Sequence, residues 1–479
     1  MGVVGRSARA ALVAAAAIVA LGLETSAQEC TFSVEATAMT KSFVDDSQPS
    51  APDADDAAVL FNAESPEDSL VVGTLKEGGL AVFNLSAALV QSIAAPAAPS
   101  VGDAPGRFNN VAVVRGNNRD LVVVSDRGLD QLRFFALGED GLLADVSAAE
   151  RPFVFSEDQA EVNVERTAYG LTAVNFKDQA LAFVSQRERS AVAKLIISDN
   201  GEAGVTYSVG SVLTEFLVNS TWTPCTEEDG EEPQLEGLVV DPADGTVMLS
   251  QETVGLWKTT VESFGTEPLT LVDRVDYFGA SYTREVDPED PEEYICQYGG
   301  TLEGGNIKAD AEGIALYTTG DSGFYVLSSQ GANRFEVYDR AAPHAHLASF
   351  TIALGEDGVS STDGVEIYSG VLPGYPSGLM VVQDEGDSDD TSFKFVSMEN
   401  VLSGLASCDP EEPTGDDDDD DDGLDIGASV AIIAIVFVLG GAFFMYGVPK
   451  LFGEDHSADE SAGDEETAGP VTVKANEDE

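Results

Sequence analysis

The sequence predicts an all-β chain, a six-bladed β-propeller preceded by a signal peptide and followed by one transmembrane helix. Three observations predict it. Between residues 30 and 405 helical periodicity is scarce, and short apolar runs alternate with Gly, Asp, Asn and Ser turns. A unit of strand, polar turn and strand recurs six times at a spacing of roughly fifty to eighty residues. Two long apolar runs bracket this region without sharing its pattern.

The first of those runs opens the chain. Arg6 and Arg9 precede an apolar stretch from Ala10 to Leu23, and the small residues Thr25, Ser26 and Ala27 follow. This order marks residues 1–27 as a secretory signal cleaved near Ala27. Residues 28–50 read as an N-terminal segment, and 51–405 as the propeller.

The repeats are LVVGTLKEGGLAVFNL (70–85), LVVVSDRGLDQLRFFAL (121–137), LAFVSQRERSAVAKLII (181–197), VMLSQETVGLWKTT (247–260), FYVLSSQGANRFEVYDR (324–340) and LMVVQDEGDSDDTSFKFVSM (379–398). Each follows another apolar strand, beginning near Asp55, Asn109, Tyr169, Glu236, Glu312 and Asp363. Six matched units of this size suit blades around a channel. A sandwich needs no such repetition, and a β-helix repeats at a shorter period.

After the propeller comes an acidic stalk (406–424) containing Asp416 to Asp422, then an apolar run that carries no charge from Ile426 to Val448 and is read as a transmembrane helix (425–448). Lys450 and the signal both place the propeller on the extracellular face of a membrane it reaches through the secretory pathway. A lipid-anchor signal would end in its apolar tail, whereas here an acidic, disorder-prone tail (449–479) continues. Four cysteines suit an exported chain, with Cys30–Cys408 closing the ring and Cys225–Cys296 stapling two acidic insertions as the expected pairs. Asn84 and Asn219 match the glycosylation pattern, the first inside a strand.

Net charge is -61, from 85 acidic and 24 basic residues. No basic patch is available for nucleic acid or anionic lipid. Most of the excess reads as a solvated acidic surface suited to a salty habitat, since far fewer carboxylates suffice to bind the hard divalent cations that take such ligands. The three histidines offer no zinc or copper pattern; His344 and His346 sit in the loop RAAPHAHL and read as surface residues.

In a propeller, the start of each first strand and the turn after each second strand meet at one channel mouth. The first-strand starts carry Asp55, Asp56, Asn109, Asn110, Tyr169, Glu236, Asp310, Glu312 and Asp363. The second-strand turns carry Lys76, Arg127, Arg187, Glu252, Gln330, Gln383 and Asp384. Oxygen ligands would thus gather with three cations from the first three blades. Crowded carboxylates need a cation to stay ionised, and calcium takes six to eight oxygens. Metal on one side and guanidinium on the other suit a multiply charged anion, and metal-activated water needs no covalent nucleophile.

These stretches, above all SDRG, TAYGL, LEGLVVD, QETVGLWK, KADAEGIALY and SSQGANRFEVYDR, resemble the β-propeller phytases, the alkaline, calcium-dependent phytases, from about Asp53 to Leu402. The resemblance implies calcium ligands at Asp55, Asp56, the carbonyl of Val111, Tyr169, Glu236, Glu252, Asp310, Glu312, Gln330, Asp357, Asp363 and Asp384. It implies phosphate contacts at Lys76, Arg127 and Arg187, with Asn333 lining the mouth, and catalysis by Glu236, Tyr169, Lys76 and Arg127. The implied reaction is stepwise hydrolysis of phosphate from phytate by a monomer carrying several calcium ions. Departures from the family pattern fall at Glu77, where a Lys is expected, and at Ser361, where an Asp is expected. A non-catalytic, calcium-stabilised adhesion module is the alternative, but it has no use for Lys76, Arg127 and Arg187 beside the metals. A propeller lactonase would favour a less charged mouth.

Overall fold

The computed structural model describes residues 30–44, 52–214, 222–226, 229–288, 294–300, 304–386 and 390–408. The signal peptide, the acidic stalk beyond Cys408, the membrane run and the tail lie outside these residues, as does Asn219, whereas the expected start of the stalk at Ala406 ends a helix. Among the described residues, no helix is long and apolar enough to cross a membrane.

Six antiparallel sheets follow one another along the chain. Their first strands are Ala57–Leu60, Phe108–Arg115, Ala168–Phe176, Leu235–Val240, Ala311–Thr319 and Val365–Tyr368. Each lies against the first strand of the next sheet, and the sixth lies against the first, so the sheets close into a six-bladed propeller. A cavity of about 230 Å³ runs between these strands and is lined from all six, with Asp56, Asn110, Thr172 and Glu366 among its polar residues.

The second strands explain why apolar residues run consecutively here instead of alternating. Leu121, Val122, Val123 and Val124 are all fully buried, as are Val71 and Val72, Val247 to Leu249, and Leu379 to Val382. Both faces of each blade are covered by neighbouring blades, so either face of the strand gains from an apolar side chain, roughly 1.5–3 kcal/mol for each Val or Leu. Apolar clusters accordingly fill the spaces between blades: Val72, Val82, Val122 and Phe135 between the first and second, Phe83, Phe393 and Phe395 between the sixth and first.

The N-terminal segment belongs to the ring. Thr31–Glu35 adds a parallel strand to His346–Leu354 of the fifth blade. Ala38–Met39 then pairs with Asp390–Ser397 and supplies the missing fourth strand of the sixth blade. The disulfide Cys30–Cys408 joins this closure to the helix Met398–Ala406. The second disulfide is Cys225–Cys296, as the sequence suggested. It ties the segment around Cys225 to an added hairpin, Ser281–Val286 with Tyr294–Gly299. Asn84 ends a strand, and its side-chain oxygen accepts the amides of Ser86 and Ala88.

The two histidines of the RAAPHAHL loop are not surface residues. His344 is buried edge-on against Tyr325, and His346 Nε2 lies 2.8 Å from Glu336 Oε2. The loop folds back onto the blade because His346 opens its outer strand.

Candidate metal and phosphate centre

Four first strands begin with the same irregularity. The ladder to the second strand slips by a β-bulge at Asn109–Asn110, Tyr169–Gly170, Glu236–Gly237 and Glu312–Gly313. A bulge re-aims side chains, and here it marks the polar residues of the mouth. Hydroxyls ending the second strands hold these starts in place. Thr74, Ser125 and Ser185 accept the amides of Asp56, Asn110 and Gly170 at 3.0, 2.9 and 2.8 Å.

Glycine follows Glu236 and Glu312 for a steric reason. A Cβ at Gly237 would stand 2.1 Å from the carbonyl oxygen of Glu312, and one at Gly313 would stand 2.4 Å from that of Asp363. Without those side chains, the backbone of each candidate ligand touches the next blade. That is how residues far apart in sequence converge.

Carboxylate oxygens of Glu236, Glu252 and Glu312 lie within 4.8 Å of one another, and all three residues are buried. Tyr169 donates to Glu236 Oε2 at 2.6 Å, and Asn109 donates to Oε1 at 2.9 Å. Burial, joined by the charge of Asp55, pushes Glu236 up to about 7. Burial also holds Glu252 and Glu312 well above the usual carboxylate range, with Asp310 and Glu236 adding to both. Asp310 therefore stands at this cluster, and its carbonyl accepts the Gln330 amide at 2.9 Å.

Beside the glutamates lies a second group. Lys76 Nζ is 2.6 Å from Asp53 and 3.6 Å from Asp55. Burial opposes the Lys76 charge, but Asp55, Asp363 and Asp53 outweigh it and keep the ammonium protonated. Asp55 and Asp363 are themselves pushed up to about 7, by burial first. Gln330 Nε2 donates to Asp363 at 2.7 Å, leaving its own carbonyl oxygen for other use. Asp56 turns toward the channel, where it accepts the Val111 amide at 2.9 Å.

Cations line the neighbouring arc. Arg127 lies 5.7 Å from the Tyr169 ring centroid, so it adjoins the Glu236 pair. Burial, then the charges of Arg187 and Arg107, lower its guanidinium to about 10, which leaves it charged at neutral pH. Arg187 contacts Glu188, and Arg107 contacts Glu77. The Lys missing at position 77 is thus met by a guanidinium from the next blade. Sequence reasoning had overlooked Arg107, as it had Asp53. Asn333 adopts a left-handed backbone and accepts the Ser361 amide at 3.0 Å.

Asp357 and Asp384, also expected as ligands, share a lysine. Asp357 lies 2.9 Å from the ammonium of Lys394, which also contacts Asp384. Lys394 is fully buried, so the chain itself supplies a cation to this carboxylate pair.

The oxygens of the main cluster suit a hard cation. Asp55 Oδ2, Glu252 Oε1 and Glu312 Oε2 are buried without a hydrogen-bond partner. An orphaned buried carboxylate oxygen is costly, and a metal bond satisfies it. The donor set is all oxygen; every cysteine is in a disulfide. Such a set fits calcium.

A propeller whose mouth combines an all-oxygen acidic cluster with a guanidinium arc has the chemistry to hold hard cations and anionic ligands side by side. The sequence profile of the family Phytase matches residues 3–421, and the chain belongs to this family of hydrolases. A 3-phytase of Bacillus subtilis (strain 168) is 27% identical over 370 residues, covering 74% of this chain and 81% of that protein. Among solved structures, a Lactobacillus plantarum protein is 15% identical with a TM-score of 0.38, covering 70% of this chain and 79% of its own. The β-propeller domain of Cps50 (Swd1) from Myceliophteria thermophila is 8% identical with a TM-score of 0.36, covering 75% and 99%.

Proposed function

We propose that this chain is a calcium-dependent phosphomonoesterase that releases phosphate stepwise from phytate or a similar polyphosphorylated small molecule. It would work as a monomer on the extracellular face of a membrane. The observation that carries this reading is the set of orphaned carboxylate oxygens on Asp55, Glu252 and Glu312, buried beside a guanidinium arc.

Glu236, Glu252, Glu312, Asp310 and Asp55 would hold calcium, with Asp363 and Gln330 beside them. Bound calcium would supply Lewis-acid polarisation of phosphate and a water of lowered pKa. The chain supplies the rest. Arg127 and Arg187 offer planar forks to phosphate oxygens, and Lys76 offers a point charge. Glu236 is held by two donors, so its orientation is fixed before substrate arrives. Burial raises its carboxyl in the metal-free chain, and a bound cation would hold it as the carboxylate. Tyr169 bridges Glu236 and Arg127, which fixes the metal arc relative to the phosphate arc.

Phosphate release from phytate by the full chain, with calcium and with chelator, tests this. Calcium-dependent release, abolished in Glu236→Gln and weakened in Arg127→Ala, is expected. A folded wild type that releases none, with or without calcium, rejects the reading.

A further inference from the structure

A short strap crosses the rim between the third and fourth blades. It comprises Glu232, Pro233 and Gln234, where the insertion carrying Cys225 rejoins the propeller. On one side it binds the third-blade turn: Glu232 donates its amide to the Glu188 carbonyl at 3.1 Å, and Ser190 donates its hydroxyl to the Pro233 carbonyl at 2.7 Å. On the other side it binds the fourth-blade turn. Gln251 donates to the Pro233 carbonyl at 2.8 Å, and the Glu252 amide donates to the Gln234 carbonyl at 3.2 Å.

Gln234 makes the decisive link. Its side-chain oxygen accepts the Glu188 amide at 2.7 Å. Its side-chain nitrogen donates to Glu252 Oε2 at 3.0 Å. One amide therefore joins the turn that carries Arg187 to the carboxylate that belongs to the acidic cluster. It uses both of its ends and occupies only one Glu252 oxygen. The other, Oε1, stays buried and unpartnered toward the cluster.

From this geometry we infer that Gln234 is a positioning residue for the calcium and phosphate centre: it orients Glu252 so that one oxygen remains for the cation, and it locks the Arg187 turn to that orientation. The inference rests on the calcium reading above. A positioning amide suits this place better than a charged group would. A Lys here would pair with Glu252 and compete with the cation, and a Glu would repel it. The amide satisfies one oxygen and leaves the charge available.

Gln234→Leu tests the role in the full chain, with Gln234→Met as a second variant that keeps the length of the side chain. Far-UV circular dichroism and melting in chelator establish which of the two is folded. Calcium alone is then titrated calorimetrically into stripped protein, and KM for phytate is measured at saturating calcium. Calcium affinity should fall more than threefold and KM should rise; melting in chelator should fall by a few degrees, because the Glu252 oxygen and the Glu188 amide lose their partner. A folded variant that binds calcium within threefold of wild type overturns the proposal and leaves the calcium reading standing. A wild type that binds no calcium overturns both.

Discussion

Removing calcium should make the propeller sensitive to alkali, and the size of the effect follows from the mouth. Asp55, Glu236 and Asp363 are each pushed up to about 7 by burial and by one another's charge. In the unfolded chain such groups titrate near 4. Between those values the native state binds more protons than the unfolded state, so stability falls as pH rises from about 4 through about 7. A single carboxyl moved from 3.8 to about 7 removes roughly 4 kcal/mol across that interval. At about 2.1 cal/mol/K per residue over roughly 350 residues, melting shifts by one degree per ~0.7 kcal/mol, so one group is worth ~6 °C. The groups repel one another and titrate together, so one group sets the minimum. Calcium at about a hundred times its Kd returns about 2.7 kcal/mol, or ~4 °C. The assay is melting temperature at pH 5, 6, 7 and 8, with calcium and with chelator. The calcium-induced rise should be small at pH 5 and reach several degrees at pH 8. A rise equal at both ends of the series would refute this account of the acidic cluster.

Three further predictions concern single elements. Arg127→Ala should raise KM for phytate by roughly ten- to a hundredfold, the scale of a charge-assisted hydrogen bond worth ~1.5–3 kcal/mol, without weakening calcium binding; steady-state kinetics and calorimetry check both halves. Lys394→Met strands Asp384 in the interior and should cost about 3–5 kcal/mol, seen as a lower denaturation midpoint in urea. Replacing Cys30 and Cys408 with Ser opens a closure 378 residues long, worth roughly 6 kcal/mol by chain entropy. An unchanged melting temperature in that double variant would show that the strands alone hold the ring.

The blades were legible in the sequence because each second strand is buried on both faces and ends in a polar turn. LVVVSD and LAFVSQ therefore stand out from their surroundings. The mouth was legible for a related reason, since the residues that bulge into it open strands of known phase. What escaped notice was whatever depends on pairing across blades. Thr31–Glu35 and Ala38–Met39 are too short to announce themselves, and their partners lie at the other end of the chain. Arg107 escaped because nothing local says it meets Glu77. Lys394 sits in the apolar run SFKFV, and only the fold reveals that its charge answers Asp357 and Asp384. Gln234 precedes the conspicuous Glu236, and its task appears only when two turns are brought together.

The ring is fastened where its oldest and youngest residues meet. Phe393 donates its amide to the hydroxyl of Thr40, a bond spanning 353 positions. During synthesis, the sixth sheet cannot be completed until almost the whole propeller has emerged. Until then, the blades wait as an open series with exposed edges, the condition in which chains pair wrongly. Once latched, the logic reverses. A protease that cuts one connection between blades leaves two fragments still held by shared sheets and a disulfide, so a nicked molecule should keep its shape and migrate as a single species until it is reduced and denatured.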